Sequence, residues 1–403
     1  LGGGALFRWA SLLVGAGAEF EAASSTLVFT ATTTGKVIDA AAALALHEMQ
    51  FTGVGGSWSL DADVTATADV LVDAGTLEGA SDLVLLSGSL AGDGVVAMTG
   101  GTVTINQTNT LGGSNAWSFN NLTLGSGAVA GVTTPASSAT TTVAGVFTIA
   151  AAHFYDAGSA VLNLAGNGTV FVENGTFLED TSVVQYSGAT PNVVATAYYD
   201  LLIDDSVTVV AATAPSVGLQ VFHNLTVGEQ GTASLNLTTN DPLTAVAGDV
   251  LIGVGGTLIG SDSAELQVFG DWQNAGTYTA NGGTVAFKSP DAATVDPGSS
   301  DFATVLFADD GPYTMSAHAT ATDLFSISSG ADYTQQAGTA LAVGGQFTNQ
   351  AADIDTDWTG TTLSLYGGQS YLVNSKTTSD SYDLVTVTTG THPRFWNSSF
   401  PTV

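Results

Sequence analysis

Three aspartates at alternate positions, Asp353, Asp355 and Asp357, are the residues of this sequence whose spacing most directly suggests chemistry. Alternate carboxylates in a loop can direct their oxygens at one Ca²⁺ ion, which prefers hard oxygen ligands. A calcium loop of the EF-hand type would also need Gly at position 358 and a carboxylate at position 364, where this chain has Trp358 and Ser364. The segment is therefore a candidate calcium site, with an ordinary acidic turn as the main alternative.

Two pairs of adjacent aspartates, Asp204-Asp205 and Asp309-Asp310, are the other acidic groups to consider for catalysis. Glycoside hydrolysis uses two carboxyl groups that flank the scissile bond. Adjacent residues of an extended strand point to opposite faces, however, and both pairs follow an apolar segment where a turn is expected. We predict that they are turn residues, and we assign no catalytic residue.

Cysteine nucleophiles and clustered nitrogen ligands are lacking in this sequence. Cysteine is absent, which excludes disulfides, thiolate metal sites and cysteine nucleophiles. No histidine has a partner four residues away to form a zinc-binding face, and no Gly-x-Ser-x-Gly elbow or phosphate loop occurs. Apart from the calcium candidate, no cofactor is predicted. Solvent or ladder positions are expected for the five histidines, His47, His153, His223, His318 and His392.

Asn-x-Ser/Thr sequons are the remaining motif with a chemical meaning, because they accept N-linked glycans in a host that attaches them. In a Thr-rich chain most of these triplets arise by chance. They lie at Asn106, Asn121, Asn167, Asn174, Asn224, Asn236 and Asn397.

The charge of the chain excludes several partners. Its 403 residues include 36 acidic and 5 basic side chains, which give a formal net charge of −31. Such a surface cannot neutralise phosphates, so neither nucleic-acid binding nor electrostatic docking on anionic lipid is expected. No apolar run approaches the length of a membrane span. The scattered acidic residues are typical of a solvated, self-repelling surface.

Apolar residues recur along the chain in a couplet, seen best between Thr284 and Phe307, where two short strands flank a polar turn. The first half of the couplet recurs as Leu27/Phe29, Val103/Ile105, Val184/Tyr186, Val285/Phe287 and Leu363/Leu365. The second half, an aromatic residue or Leu with apolar residues at +3 and +5, recurs from Leu46, Phe119, Tyr198, Phe222, Phe302 and Tyr382. All but one of the steps between these anchors are close to ~80 residues.

A second marker, Val-x-Gly followed by an apolar residue two positions later, lies between the couplets. It occurs at Val143/Gly145/Phe147, Val246/Gly248/Val250, Val268/Gly270/Trp272 and Val343/Gly345/Phe347. Both markers contain a step of roughly 20 to 25 residues, the size of one solenoid rung. Because β-branched residues dominate, we predict an all-β chain. The repeated rung further predicts an elongated solenoid, a parallel β-helix with capping or exchanged terminal segments.

The ends of the chain differ from its middle. Residues 1–24 form an apolar segment, expected to cap the first rung or to be donated to a neighbouring copy. Residues 25–390 are predicted to form one solenoid of about four units, in which Ile38–Gln50 is the best helix candidate, and residues 391–403 an aromatic tail. The predicted subunit contacts are Leu6, Phe7, Trp9, Leu12, Leu13, Phe395, Trp396 and Phe400.

Three runs resemble the degenerate repeats of large bacterial surface proteins. They are Phe119–Leu124, Phe222–Val227 and Gly270–Tyr278. The similarity is to the haemagglutinin-like and autotransporter-passenger-like β-solenoids. This resemblance implies a right-handed parallel β-helix and an exported, cell-surface role in adhesion or in building an extracellular layer.

The sequence therefore favours an exported, non-enzymatic structural protein that joins head to tail into an extracellular filament or surface layer, with itself as partner. The start at Leu1 rather than Met favours a processed, exported chain or a truncated one.

One alternative is a monomeric adhesin stalk that binds surface glycans. The other is a polysaccharide-active β-helix enzyme. Lyases of that fold place a basic residue beside a carboxylate-bound metal, whereas the basic residues here are far apart, at Arg8, Lys36, Lys288, Lys376 and Arg394.

Overall fold

The computed structural model of the chain describes residues 5–208, 210–308, 311–351, 356–367, 372–375, 382–388 and 394–397. These residues form strands, turns and coil and contain no helix. All of the strand pairs among them are parallel, and the successive partners along each sheet follow one another at the interval of one coil. The prediction of an all-β, parallel β-solenoid is therefore confirmed.

The chain divides into two compact units, Leu1–Val194 and Ala195–Val403. The first unit contains β1 (Leu6–Trp9), β2 (Leu12–Val14), β3 (Thr26–Phe29), β4 (Lys36–Ala40), β5 (Leu44–Leu46), β6 (Glu48–Phe51), β7 (Ser57–Leu60), β8 (Val64–Ala66), β9 (Val70–Val72), β10 (Thr76–Gly79), β11 (Leu83–Leu85), β12 (Leu90–Ala91), β13 (Val95–Met98), β14 (Thr102–Ile105), β15 (Asn109–Gly112), β16 (Trp117–Phe119), β17 (Asn121–Leu124), β18 (Gly131–Pro135), β19 (Thr140–Val143), β20 (Phe147–Ile149), β21 (His153–Asp156), β22 (Val161–Leu164), β23 (Gly168–Thr169), β24 (Phe171–Glu173), β25 (Thr176–Leu178), β26 (Val183–Tyr186) and β27 (Pro191–Asn192).

The second unit contains β28 (Ala197–Tyr198), β29 (Asp200–Ile203), β30 (Val210–Thr213), β31 (Leu219–Val221), β32 (Leu225–Val227), β33 (Ala233–Asn236), β34 (Thr244–Val246), β35 (Val250–Ile252), β36 (Gly256–Ile259), β37 (Glu265–Val268), β38 (Trp272–Asn274), β39 (Thr277–Thr279), β40 (Thr284–Phe287), β41 (Ala293–Asp296), β42 (Phe302–Phe307), β43 (Pro312–Met315), β44 (Ala319–Ile327), β45 (Asp332–Gln335), β46 (Ala340–Val343), β47 (Gln346–Asn349), β48 (Thr356–Asp357), β49 (Thr362–Leu365), β50 (Leu372–Ser375), β51 (Leu384–Val387) and β52 (Arg394–Asn397).

In the first unit each complete rung contributes one strand to each of three sheets. One sheet has the order β1-β3-β6-β9-β12-β15-β18-β21-β25, and a second runs from β5 to β24. The third contains β2, β4, β7, β10 and their successors up to β26. In the second unit the corresponding series are β28-β31-β34-β37-β40-β42-β44, β29-β32-β35-β38 and β30-β33-β36-β39.

Strict alternation of side chains fills the core. In β26, for example, Val184 and Tyr186 are fully buried while Val183 and Gln185 lie on the outer face. Alternation follows from the two-residue period of a strand, so most residues of the couplets that repeat in the sequence point inward. At the anchor Phe222, however, only Leu225 and Val227 point inward, and Phe222 itself is half exposed.

Parallel register stacks aromatic rings above one another in the second unit. The rings of Phe287 and Phe307 are stacked with centroids 5.2 Å apart, and those of Phe325 and Phe347 lie 5.9 Å apart. Tyr333 contacts Phe307 at 5.0 Å and Phe325 at 5.7 Å. Rings at these separations add packing energy beyond the area that they bury. The inner column is therefore a main source of stability.

The Val-x-Gly marker corresponds to a short corner between two strands. At Gly248 an added Cβ would lie 2.5 Å from the carbonyl oxygen of His223 and 2.7 Å from Asn224 Oδ1. The neighbouring rung therefore leaves no room for a side chain at this position. The marker reflects packing between rungs rather than a binding function.

The segment Ile38–Gln50, predicted as the best helix candidate, is not helical. It contains the end of β4, all of β5 and the start of β6, and it buries Leu44, Leu46 and Met49. The prediction was wrong because the helix propensity of its alanines is worth only tenths of a kcal/mol per residue, about 0.5 at most. Pairing with the neighbouring rungs and burial of the alternating apolar residues outweigh that preference.

We expect Phe307→Ala to destabilise the protein by about 3–5 kcal/mol, because the truncation leaves a cavity among four aromatic rings. Urea unfolding followed by circular dichroism measures the loss. Thr304→Ala, an outward position of the same strand, is the matched control and should change the free energy of unfolding by less than about 0.5 kcal/mol. Equal effects of the two variants would contradict the assigned register.

Candidate functional site: the open first rung

Among the described residues, the first rung contributes two strands, β1 and β2. β1 pairs with β3 in the register Leu6↔Thr26, and β2 pairs with β4 in the register Leu12↔Ile38. The third sheet begins only in the second rung, with β5. Residues 15–24, which lie where a third strand would be expected, form turns and coil instead.

The inward side chains of the first rung are packed within their own chain. Leu12 is 3% exposed, and Phe7 and Trp9 are half-buried above the next rung. Phe20 meets Trp9 edge to face with centroids 6.4 Å apart, so the coil covers part of this layer. Among the predicted contact residues here, only Leu6 and Leu13 are exposed, at 56% and 69%.

The backbone of β1 leaves one edge open. The N–H groups of Thr26 and Thr30 donate to the carbonyl oxygens of Ala5 and Trp9, each at 3.0 Å. In a parallel strand, every second residue directs both its N–H and its C=O group to the same neighbouring strand. Ala5 and Trp9 bond on the side of β3, so the N–H and C=O groups of Leu6 and Arg8 face the opposite edge. β1 is the terminal strand of its sheet, and no described residue pairs with that edge.

A cavity of about 480 Å³ lies beside β5. Leu44 donates to Asp63 O at 2.8 Å and Leu46 accepts from Thr67 N at 3.1 Å, so both residues pair with β8 and Ala45 directs its backbone groups to the open side. The lining is small and apolar except for Glu19 and Glu21, and it comprises Val14–Glu21 and Ala40–Ala45. The first rung thus offers open strand edges together with space for an extended segment.

The calcium candidate is only partly within the described residues, because Asp353 and Asp355 lie outside them. Asp357 accepts a hydrogen bond from the N–H of Thr359 at 2.9 Å, and that bond lowers the pKa of its carboxyl group. The carboxylate therefore stabilises its own turn. The described part of the chain holds no group of three or more His, Asp or Glu residues placed to bind a metal ion.

The pair Asp204-Asp205 stabilises turns. Asp204 is 1% exposed and accepts the N–H groups of Gln230 at 2.6 Å and Gly231 at 3.0 Å. Asp205 accepts the N–H of Thr208 at 2.6 Å, and hydrogen bonding, chiefly from the Thr208 side chain, lowers its pKa. The second pair, Asp309-Asp310, lies outside the described residues.

The histidines occupy unlike positions. His47 Nδ1 lies 2.9 Å from Thr67 Oγ1, and His318 Nδ1 accepts the N–H of Ala340 at 2.9 Å. His153 is fully buried in an inward ladder position, where its Nε2 lies 2.8 Å from Thr133 Oγ1 and its Nδ1 has no hydrogen-bond partner among the described residues. Burial lowers the pKa of His153. His392 lies outside the described residues.

The fifth histidine forms a contact that sequence reasoning missed. His223 Nδ1 lies 2.9 Å from Asp200 Oδ1, and the His223 ring stacks on Tyr199 at 4.7 Å. Lys288 and Glu265 form a second such pair at 2.6 Å. Both pairs join residues separated by 23 positions, one rung of the coil. A search of the sequence at that interval would have found them.

Most sequon asparagines are engaged in the fold. Asn121 accepts the N–H of Val146 at 2.9 Å, Asn167 that of Thr190 at 2.7 Å, Asn224 that of Asp249 at 2.8 Å and Asn236 that of Thr238 at 2.8 Å. Asn106 is buried, whereas Asn174 is exposed. The side chain of Asn397 is not described, although its backbone ends β52.

The aromatic tail is described in part. Phe395 and Trp396 lie in β52, which pairs with β50, but the structure describes only their backbone. Phe400 lies outside the described residues.

Comparisons with protein-family models, with curated proteins and with solved structures find no match to this chain. Within the described residues there is no helix able to cross a lipid bilayer. The β-solenoid fold and the open first rung are therefore the observations from which function must be argued.

The burial of the His153 imidazole can be tested by the pH dependence of the free energy of unfolding. The lowered pKa means that the folded chain binds fewer protons at this group than the unfolded chain does below pH ~6.5. Its contribution to stability is thus complete above that pH and declines as the pH falls towards the lowered pKa. We expect urea unfolding between about pH 7 and pH 5 to show a steeper loss for the wild type than for His153→Gln, by up to ~1.4 kcal/mol per pH unit. Parallel pH profiles would contradict the burial of a neutral imidazole.

Proposed function

We propose that this protein is an exported, non-enzymatic structural protein whose copies join through the open first rung into an extracellular filament or surface layer. The observation that carries the proposal is the combination of strand edges at β1 and β5 that no described strand pairs with and the cavity beside β5. Free edges of this kind template the addition of another strand. Edge pairing contributes main-chain hydrogen bonds, and side-chain pockets add specificity.

The direction of the strands favours a head-to-tail joint. All described pairs are parallel, so a strand added to β1 in the same manner must come from a different strand edge of a second copy, because two β1 edges related by a two-fold axis would be antiparallel. In the second unit β51 and β52 are the terminal strands of their sheets. Such a contact is heterologous, and it produces a filament when the rotation between copies does not close a ring.

Charge must oppose the joint at low ionic strength. A net charge of −31 on each copy produces mutual repulsion, which salt screens over a Debye length of about 8 Å at physiological ionic strength. Assembly should therefore strengthen as salt is added. With no cysteine in the chain, the joint is noncovalent.

The extracellular location is proposed from the resemblance to bacterial surface β-solenoids. The resembling runs contain structural positions of the fold, such as Leu122 and Leu124 in the core and Asn121 at a corner. The scarcity of basic residues and the lack of cysteine are compatible with that location.

A double proline variant tests the joint. Arg8→Pro and Ala45→Pro each remove an N–H that faces an open edge, while the hydrogen bonds to β3 and β8 are retained because they belong to the alternate residues. We expect the wild type to form species that grow with protein and salt concentration in sedimentation velocity and negative-stain microscopy. The variant should remain monomeric.

The matched control is the double variant Arg8→Thr and Ala45→Thr, which keeps both N–H donors and should assemble like the wild type. Circular dichroism of all three proteins checks that the fold is retained. Assembly of the proline variant at the wild-type concentration, or a wild type that remains monomeric at high protein and salt concentration, would contradict the proposal.

A further inference from the structure

A groove on the outer face of the second unit forms a polar site that is separate from the strand edges of the first rung. Its volume is about 410 Å³. Volumes of a few hundred Å³ fit small organic ligands, whereas a metal ion needs only a small cage of oxygens. The groove is lined by Leu251, Asp271, Gln273, Asn274, Ala275, Thr294, Asp296 and Ser316.

The register of the strands explains how these side chains come together. Leu251 pairs with Gln273, and Gln273 pairs with Asp296. Ser316 directly follows Met315, the partner of Val295, and so continues the column. The column spans four consecutive rungs, a distance on the order of 14 Å at about 4.8 Å per rung. Thr294 lies two residues before Asp296 on the same face of β41, and Asp271 directly precedes β38, two residues before Gln273.

The carboxylates of Asp271 and Asp296 are each held by a backbone hydrogen bond and keep further acceptor positions. Asp271 Oδ1 accepts the N–H of Thr294 at 2.7 Å, and Asp296 Oδ1 accepts the N–H of Gly298 at 2.9 Å. Each bond fixes one oxygen, and a carboxylate has about four acceptor positions in all. Gln273 is exposed and makes no side-chain hydrogen bond to a described residue. The groove thus combines oriented acceptors with a free amide donor.

Asn274 supports the floor of the groove. It is 4% exposed, donates from Nδ2 to Pro297 O at 2.8 Å and to Ser300 Oγ at 3.1 Å, and accepts the N–H of Gly276 at 3.1 Å. These bonds tie two neighbouring rungs together. The backbone next to Gln273 and Asp296 is therefore fixed by hydrogen bonds of Asn274.

We infer that the groove binds a neutral oligosaccharide. Two carboxylates, an amide and two hydroxyls provide the acceptors and donors that a ligand rich in hydroxyl groups requires, and Leu251 and Ala275 offer apolar contact for the faces of sugar rings. No basic side chain lines the groove, and the net charge is −31, so acidic and sulfated glycans are repelled. The length of the column suits several sugar residues in a row. The inference rests on the second unit alone and does not depend on self-assembly.

The test uses the full chain and neutral oligosaccharides of four to six residues, namely cello-, xylo-, manno-, malto- and N-acetylated chito-oligomers, with oligogalacturonate as the acidic comparator. Isothermal titration calorimetry should detect at least one neutral series. Gln273→Ala should weaken its binding by about tenfold or more, since it removes hydrogen bonds to the ligand. Asp296→Asn, which removes the charged acceptor, should weaken binding similarly.

Thr257→Ala, at an outward position of β36 in a different sheet of the same unit, is the matched control and should bind like the wild type. Gln273→Ala is the decisive variant because the Gln273 side chain makes no hydrogen bond to a described residue on which folding could depend. Binding of no neutral series, binding unchanged in Gln273→Ala, or binding of oligogalacturonate alone would each overturn the inference.

Discussion

Parallel hydrogen bonding between successive rungs is the interaction on which this structure depends. It places each residue above a counterpart one coil earlier, so side chains are sorted into columns. Inward columns become stacks such as Phe287 on Phe307, and corner columns become hydrogen-bonded ladders. In one ladder the N–H groups of Asn224, Asp249, Asp271 and Thr294 each donate to the carboxylate or amide one rung before.

The same constraint makes the first rung exceptional. An interior rung satisfies its backbone on both edges, whereas among the described strands β1 is paired on one edge only and β5 is the first strand of its sheet. A protein that avoids edge association usually covers such edges or places charges and prolines on them. Here the coil 15–24 covers part of the inner layer, while Leu6 and Leu13 remain exposed beside the open edge. This contrast supports the proposed joint at the first rung.

The core of the fold was predictable because it depends on local alternation. Pairs such as Val184 and Tyr186 are buried as their two-residue spacing indicates. What the sequence did not reveal depends on contacts across one rung. The helix prediction at Ile38–Gln50 was wrong because its strands are stabilised by neighbouring rungs. Phe222 lies outside the core because the corner from Val221 to Leu225 is one residue longer than the corner from Tyr198 to Leu201 in the rung before. The oligosaccharide groove was missed for the same reason, since Gln273 and Asp296 meet only through a register spanning a full coil.

Chemistry on a solenoid must therefore be sought between rungs rather than along the chain. The adjacent pair Asp204-Asp205 looks catalytic in sequence, yet its carboxylates accept backbone N–H groups and hold turns. Asp200 and Asp271 likewise use one oxygen in the corner ladder, so part of the acidic surplus of this chain is structural as well as solvating. These acidic residues stabilise the corners of neighbouring rungs by accepting backbone N–H groups, and their negative charge repels other copies of the chain. In the proposed assembly, pairing between copies is favoured where strand edges compensate for that repulsion, as at β1 and β5.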